Sequence, residues 1–190
     1  MQGSNDYKIY ELSEFTNDSS FPFFIQYGRH DNELFIHSHK DFSELTIVLS
    51  GEACHIVEDE KMPVKNGDVF IVHGDTKHGY TYTHNFRICN IMFREDYFNL
   101  KKYDISTMSG FQAIFYIEPG LVKNHHFTGR MTFEKEEFEQ VKATIAVMNN
   151  EYKQKKEGYK TFITSKFMEL LVRLSRIYKT NRDRGEDKIS

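Results

Sequence analysis

The hydrophobic positions follow two different periods along the chain, and the period changes near residue 130. From Phe21 to about Ile117, short runs of alternating apolar and polar residues are separated by turn residues, a pattern typical of β-strands. Strands repeated at roughly ten-residue spacing predict an antiparallel sandwich or barrel. Beyond residue 130 the apolar residues recur every three or four positions, which predicts helices that follow the strands.

Turn residues divide the first part of the chain into predicted strands. We expect a hairpin around Ser50-Gly51, because two strand patterns meet at this pair. Asn66-Gly67 is a second turn signal, and it precedes a predicted strand over 68–73. The other strand patterns are FPFFIQYGR, SELTIVLSG, EACHIVED, HGYTYTH and FRICNIMF.

Two helices are predicted in the last third of the chain. Phe138, Val141, Ile145 and Met148 are separated by three or four residues and so share one face of the first helix. Thr132 is its predicted N-cap. Gly158 and its neighbours separate it from the second helix, and helices joined so closely normally pack antiparallel.

The second predicted helix has an apolar face that is wider than one packing partner requires. The simplest interpretation is that both helices cover the core of the barrel. A second interpretation is that part of this face pairs with another copy of the chain, since two-fold homodimers are the commonest oligomers. The residues that we assign to dimerisation are Ile163, Phe167, Leu170, Leu171, Leu174 and Ile177.

Composition narrows the functional classes. Hydrophobic residues make up 39% of the 190 residues and aromatic residues 15%, enough for a folded core. The net charge is −3, and neither part has the basic excess of a DNA-binding surface, so we expect no specific DNA binding by this chain. Cys54 and Cys89 are the only cysteines and no apolar run is long enough for a bilayer, which predicts a cytoplasmic protein without membrane contact.

One motif carries most of the chemical information. His37, His39 and Glu44 are spaced H-x-H-x4-E, and His78 follows the strand that begins after Gly67. Residues two apart on a strand point to the same side, so His37 and His39 share a face. Three imidazoles and one carboxylate suit Zn, Fe(II), Ni or Mn.

These residues resemble the two motifs of the cupin superfamily. His37, His39, Glu44 and Gly51 match the first motif, while Gly67 and His78 match the second. The sequence departs from the second motif where His73, Asp75 and Tyr82 stand in place of its proline, glycine and asparagine. The resemblance implies a cupin-like antiparallel β-barrel, a double-stranded β-helix, followed here by two antiparallel helices.

The degraded motif is typical of the sensing domains of arabinose-regulator-type (AraC family) transcription factors. Three segments are similar in sequence to the L-rhamnose operon regulators: HSHKDFSELTIVLSG, GDVFIVHGDTKHGYTYTHN and ICNIMFREDYF. This resemblance implies a small sugar effector, such as L-rhamnose or a related monosaccharide, and a homodimer. It also implies DNA binding only through a C-terminal domain that this chain lacks.

We therefore divide the chain into three parts. Residues 1–130 are interpreted as the ligand-sensing barrel with an N-terminal arm, and 131–182 as a two-helix dimerisation segment. Residues 183–190 are interpreted as the start of a linker to the absent DNA-binding domain, in a truncated product or an expressed sensing domain.

Three roles remain open for His37, His39, Glu44 and His78: metal ligands, direct contacts to a sugar, or structural groups that hydrogen-bond to each other. Arg29, Tyr80 and Tyr82 are further candidates for ligand binding, on strands expected near the barrel mouth. We expect no cofactor and no catalytic residue. The rival hypothesis is a metal-dependent cupin enzyme, a dioxygenase or sugar isomerase. His55 and His73 are interpreted as ordinary strand histidines, and His125-His126 as a solvated loop pair.

Overall fold

The computed structural model describes residues 7–32, 34–117, 131 and 133–186, without the side chains of 117 and 182–186. Its strands and its two long helices account for most of that part of the chain. The strands are β1 (Lys8–Tyr10), β2 (Phe23–His30), β3 (Leu34–His39), β4 (Ser43–Val57), β5 (Glu60–Lys65), β6 (Val69–His73) and β7 (His78–Phe93).

The two longest strands, β4 and β7, lie antiparallel to each other and organise the sheet. Strand β6 pairs with the first half of β4, and β5 pairs with its second half. Strands β3 and β2 pair with the first and second halves of β7, and β1 adds to β3 in parallel. Each long strand therefore contributes one half to the set β3–β7–β4–β5 and its other half to the set β2–β7–β4–β6. This confirms the predicted antiparallel barrel.

The hairpin predicted around Ser50-Gly51 is wrong, because β4 continues through this pair as a single bent strand. Gly51 has φ 74°, and a Cβ there would lie 2.3 Å from the carbonyl oxygens of His84 and Asn85. A glycine therefore lets β4 change register against β7 without ending. The HGYTYTH and FRICNIMF segments likewise form one strand, β7.

Alternation along β4 and β7 separates two layers of side chains. Leu45, Ile47, Ile91 and Phe93 point away from the barrel interior into a large apolar cluster shared with the helices. The intervening residues point into the barrel. Along both strands, a residue that faces the barrel interior is therefore followed directly by a residue that faces the helical layer.

Helix α3 spans Lys135–Gln154 and helix α4 spans Tyr159–Glu186. Glu134 is the N-cap of α3, so the predicted cap at Thr132, which lies outside the described residues, is wrong. A guanidinium hydrogen bond joins Arg173 of α4 to the side chain of Gln140 near the start of α3. In the described part of the chain, no helix is both long and apolar enough to cross a membrane.

The six residues assigned to dimerisation lie in the core of the single chain. Their exposed fractions are 0% for Ile163, Phe167, Leu170 and Leu171, 1% for Leu174 and 5% for Ile177. They pack with the outer face of the barrel and with α3. Their assignment to a surface that meets a second copy is therefore corrected, because the apolar face of α4 is used within the chain. Dimerisation itself stays a prediction.

A chain of short helical turns, rather than a strand, follows β7. It consists of α1 (Glu95–Phe98), two 3-10 turns (Leu100–Lys102 and Asp104–Thr107), α2 (Ser109–Gln112) and a turn of π-helix (Ala113–Ile117). We call residues 95–117 the connecting segment. Its apolar side chains join the same cluster as α3 and α4, so the helical layer begins directly after the last strand and not near residue 130.

Candidate functional site

Three histidines meet inside the barrel. His37 and His39 lie on one face of β3, as predicted, and His37 is opposite His78 of β7. One ring nitrogen from each of the three lies within 4.8 Å of the other two. The side chains are buried, with exposed fractions of 8%, 1% and 0% for His37, His39 and His78. Two strands distant in sequence therefore deliver imidazoles to one enclosed point.

The three imidazoles are held neutral at physiological pH. Burial, and to a smaller extent the neighbouring His37, lower the pKa of His39 to about 3. Burial, followed by the three nearby histidines, also places the pKa of His78 well below its usual value. The pKa of His37 is lowered by burial as well. Neutral imidazoles keep one lone pair each, which is the form that binds metals or accepts hydrogen bonds.

Hydrogen bonds set the orientation of these rings. The Nδ1–H of His37 donates to the carbonyl oxygen of Phe35 at 3.0 Å, which leaves its Nε2 with a lone pair. The Nδ1 atoms of His39 and His78 are buried and have no hydrogen-bond partner. Buried polar atoms are normally hydrogen-bonded. These two Nδ1 atoms therefore have hydrogen-bonding capacity that no described residue satisfies.

The geometry fits a divalent transition metal. The Nε2 atoms of His39 and His78 are 3.2 Å apart, while two ligands at about 2.0–2.1 Å from one tetrahedral ion would be separated by about 3.4 Å. The lone pair of His37 Nε2 completes a three-nitrogen donor set. Such a set suits Zn or Fe(II), which would supply Lewis acidity when bound.

Glu44 is separate from the three-histidine group, although the motif predicted it as the fourth ligand. It is 2% exposed, and burial raises the pKa of its carboxyl group to about 7. Thr46 Oγ1 lies 3.2 Å from Glu44 Oε1 and 3.1 Å from Asn90 Oδ1. A protonated Glu44 can donate to Thr46, which then donates its single proton to Asn90. Glu44 thus belongs to a polar row that runs across β4 and β7.

The other candidates for ligand binding, Tyr80, Tyr82 and Arg29, differ in their exposure to solvent. Tyr80 lies in the barrel interior with 0% exposure, and its buried hydroxyl has no hydrogen-bond partner. Tyr82 is 77% exposed, and Arg29 points outward, where it pairs with Asp31 at 2.8 Å. Arg29 and Tyr82, predicted as ligand-binding residues near the barrel mouth, therefore face solvent, while Tyr80 faces the barrel interior.

His55, predicted from the sequence to be an ordinary strand histidine, lies in the barrel interior. It is 2% exposed and stacks on Phe70 with ring centres 4.4 Å apart and on Tyr80 at 4.8 Å. Its Nε2 atom is buried without a partner. The register change at Gly51 moves the odd-numbered residues of β4 to the inside. The sequence does not predict this change, because a glycine suits a turn as well as a bulge.

Apolar clusters close the barrel on both sides of its polar residues. One cluster contains Leu12, Phe42 and Met92, packed against Tyr10 of β1, and Tyr10 also contacts the His37 ring at 5.2 Å. The other cluster contains Val48 and Ile88. Along β4 the interior positions therefore change from the polar Glu44 and Thr46 to the apolar Val48 and Ala53, and back to the polar His55. We call the enclosed polar residues the polar belt: His37, His39, Glu44, Thr46, His55, His78, Tyr80 and Asn90.

Comparison with known proteins agrees with this architecture. Residues 25–92 match the family described as a cupin domain, so the chain contains a cupin barrel followed by two helices. It is also 29% identical over 85 residues to the HTH-type transcriptional activator RhaR of Escherichia coli K12 and to the protein of the same name from Shigella flexneri. That similarity is partial, since it covers 45% of this chain and 30% of the length of RhaR.

Two solved structures show partial likeness to the chain. A cupin-2 domain protein from Shewanella frigidimarina is 19% identical with a TM-score of 0.36, covering 38% of this chain and 71% of that one. KdgF from a Halomonas species is 18% identical with a TM-score of 0.36, covering 38% and 70%.

Proposed function

We propose that the chain is the effector-sensing and dimerisation part of a transcriptional regulator, and that it binds a small neutral sugar, such as L-rhamnose or a related deoxyhexose, in the barrel. The observation that carries the proposal is the polar belt. Enclosed polar groups with unmatched hydrogen-bonding atoms are suited to a ligand that brings several hydroxyls. The partial similarity to the transcriptional activator RhaR supports the regulatory role.

The electrostatics of the polar belt favour a neutral ligand. Burial keeps the imidazoles of His39, His55 and His78 neutral by lowering their pKa values. Glu44 is partly protonated near pH 7, because burial raises its pKa to about 7. No fixed cation is among the residues of the belt to balance a sugar acid. Hydroxyl groups can instead donate to imidazole nitrogens and accept from Tyr80.

The strands supply a direct connection from ligand to helices. Glu44 and Asn90 point into the barrel, while the next residues, Leu45 and Ile91, are fully buried in the cluster that contains α4. A ligand that binds one arrangement of β4 and β7 more tightly would shift the population of helix packings. Such differential binding is what a sensing domain requires.

A thermal-shift screen tests the proposal. The purified chain is mixed with L-rhamnose, L-fucose, L-arabinose and D-glucuronate, and a ligand present at 100 times its dissociation constant should stabilise it by about 2.7 kcal/mol. We expect a neutral deoxyhexose to stabilise the protein and glucuronate not to. Tyr80→Phe should reduce the shift, whereas the matched variant Tyr82→Phe, which changes an exposed ring, should retain it. No shift with any neutral sugar, or equal shifts for Tyr80→Phe and wild type, would contradict the proposal.

The three-histidine group supports a second candidate, a metal-dependent cupin enzyme. The two are separated by elemental analysis of the purified protein. The enzyme would be favoured by a stoichiometric metal that is lost in His39→Ala, together with turnover of a sugar or of an oxygen-dependent substrate by the metal-bound protein. Sugar binding that is unchanged after chelation would favour the sensor.

A further inference from the structure

A cleft lies outside the barrel, between the turn that joins β5 to β6 and the first two turns of α3. Its volume is about 510 Å³, which is within the usual range for sites that bind small molecules. Residues 65–68 form one wall, and the other wall is formed by Lys135, Phe138, Glu139 and Lys142. The last three follow Lys135 by three, four and seven positions, so all four share one face of α3. We call this site the lysine cleft.

The floor of the lysine cleft is apolar. It is lined by Leu49 of β4 and by Met131, Phe133 and Phe138. The rings of Phe133 and Phe138 have their centres 5.3 Å apart. Leu49, Phe133 and Phe138 are half-buried at the edge of the large apolar cluster. Such a surface, with two aromatic rings side by side, suits a ligand with a flat apolar body.

The charges around the lysine cleft favour an anion. Its lining contains the three basic residues Lys65, Lys135 and Lys142 and the two acidic residues Asp68 and Glu139. Glu139 pairs with Lys142 at 2.7 Å, and the carboxylate of the buried Asp68 accepts the backbone N–H of Lys65 at 2.8 Å. The side chains of Lys65 and Lys135 are exposed, and within the described residues neither forms an ion pair. Two ammonium groups therefore remain for a carboxylate.

Backbone hydrogen bonds fix the β5–β6 wall of the cleft against β4. The N–H of Gly67 donates to the carbonyl oxygen of Val48, and the N–H of Val48 donates to the carbonyl oxygen of Asp68, both at 2.9 Å. Val48 belongs to the apolar cluster inside the barrel, while the next residue, Leu49, lines the cleft. A ligand in the cleft would therefore contact α3 and a turn that is joined to the barrel.

We propose that the lysine cleft binds a small organic carboxylate with an aromatic body. The ring of the ligand lies against Phe133 and Phe138, and its carboxylate is bound by Lys65 and Lys135. This is a second ligand site, outside the barrel, and it does not depend on a sugar binding to the polar belt. Because the ligand contacts both walls, it strengthens the packing of α3 on the barrel.

An NMR titration of the full chain with 2-naphthoate tests the proposal, with the neutral 2-naphthamide as the matched probe. We expect saturable shifts of the backbone amides of 65–68 and 135–142 with naphthoate. Naphthamide should bind about tenfold more weakly, because it lacks the charge that pairs with two exposed lysines. The affinity for naphthoate should fall as sodium chloride is added, since salt screens exposed charges.

Variants of exposed lysines separate the lysine cleft from other binding surfaces. Lys65→Gln and Lys135→Gln should each weaken naphthoate binding by about fivefold, and the double variant should bind naphthoate no better than naphthamide. Lys61→Gln, which changes an exposed lysine of β5 outside the cleft, should bind as wild type does. Neither cleft variant should affect folding, because both side chains are exposed.

The same titration distinguishes the lysine cleft from the barrel. Tyr80→Phe, in the polar belt, should leave naphthoate binding unchanged, whatever its effect on sugars. The proposal would be overturned by equal affinities for naphthoate and naphthamide, by wild-type affinity in the double lysine variant, or by loss of naphthoate binding in Tyr80→Phe.

Discussion

The Nε2 atoms of His39 and His78 lie 3.2 Å apart inside the barrel, although the residues are 39 positions apart in the chain. One proton or one metal ion can occupy the space between these two lone pairs. Which of the two is present decides whether the histidine cluster is a hydrogen-bonded pair or a metal centre.

If the histidine cluster is a metal centre, Zn²⁺ should bind at one equivalent. Because His39 and His78 are already neutral in the folded protein, no proton has to leave these rings, and the affinity should change little between pH 6 and 8. Isothermal titration calorimetry at several pH values measures this. His39→Ala should abolish binding and the exposed His84→Ala should retain it. An affinity that rises steeply with pH, or binding unaffected by His39→Ala, would argue against the assignment.

The free energy of unfolding should increase between about pH 4.5 and 6.5. Burial depresses the pKa of His39 and of His55 to about 3, whereas unfolded histidine titrates near 6.5. Over that range the unfolded chain binds these protons and the folded chain does not, so stability is lost as pH falls. Each buried histidine contributes up to about 1.4 kcal/mol per pH unit.

Glu44 acts in the opposite direction, since its pKa is raised to about 7 and its stabilising effect is lost as pH rises above about 4.5. The histidines outnumber it, so the net slope should be positive. Urea unfolding at several pH values tests this. His55→Phe should reduce the slope of the unfolding free energy against pH by the contribution of one histidine, up to about 1.4 kcal/mol per pH unit. A flat profile for wild type would show that the interior histidines are not desolvated.

Gly110→Ala should destabilise the protein more than Gly158→Ala. A Cβ at Gly110 would lie 1.9 Å from the carbonyl oxygen of Ser175, whereas a Cβ at Gly158 would meet nothing within 4 Å. The first substitution must separate α2 from α4, at a cost of about 2–3 kcal/mol. The second costs about 1 kcal/mol, because Gly158 has φ 79°. Urea unfolding compares them, and equal losses would contradict the close packing of α2 on α4.

Leu170→Glu should unfold the chain rather than separate a dimer. Leu170 is 0% exposed, and Phe162 on the same helix is 40% exposed. A carboxylate at the buried position should cost about 4 kcal/mol or more, whereas Phe162→Glu should leave the fold intact. Circular dichroism and light scattering together measure both properties. If the Leu170→Glu variant were folded and monomeric, the interpretation of the apolar face of α4 as a dimer surface would be supported instead.

The strand region and the helices could be predicted because their periods differ. Alternation on β2, β6 and β7 and the steps of three and four on α3 and α4 are local properties of the sequence. The shared face of His37 and His39 follows from the same rule. The continuous course of β4 was missed, because Gly51 suits a turn as well as a bulge.

Three features follow from the amino-acid sequence alone: the change from a strand region to a helical region, the shared face of His37 and His39, and the wide apolar face of α4. Only the tertiary structure decided which partner each face meets. It turned α4 toward the barrel, brought His55 inside through the register change at Gly51, and left Arg29 and Tyr82 in solvent. The physical reason is that periodicity specifies that a face is apolar or shared, while the partner of that face is chosen by contacts between residues far apart in the chain.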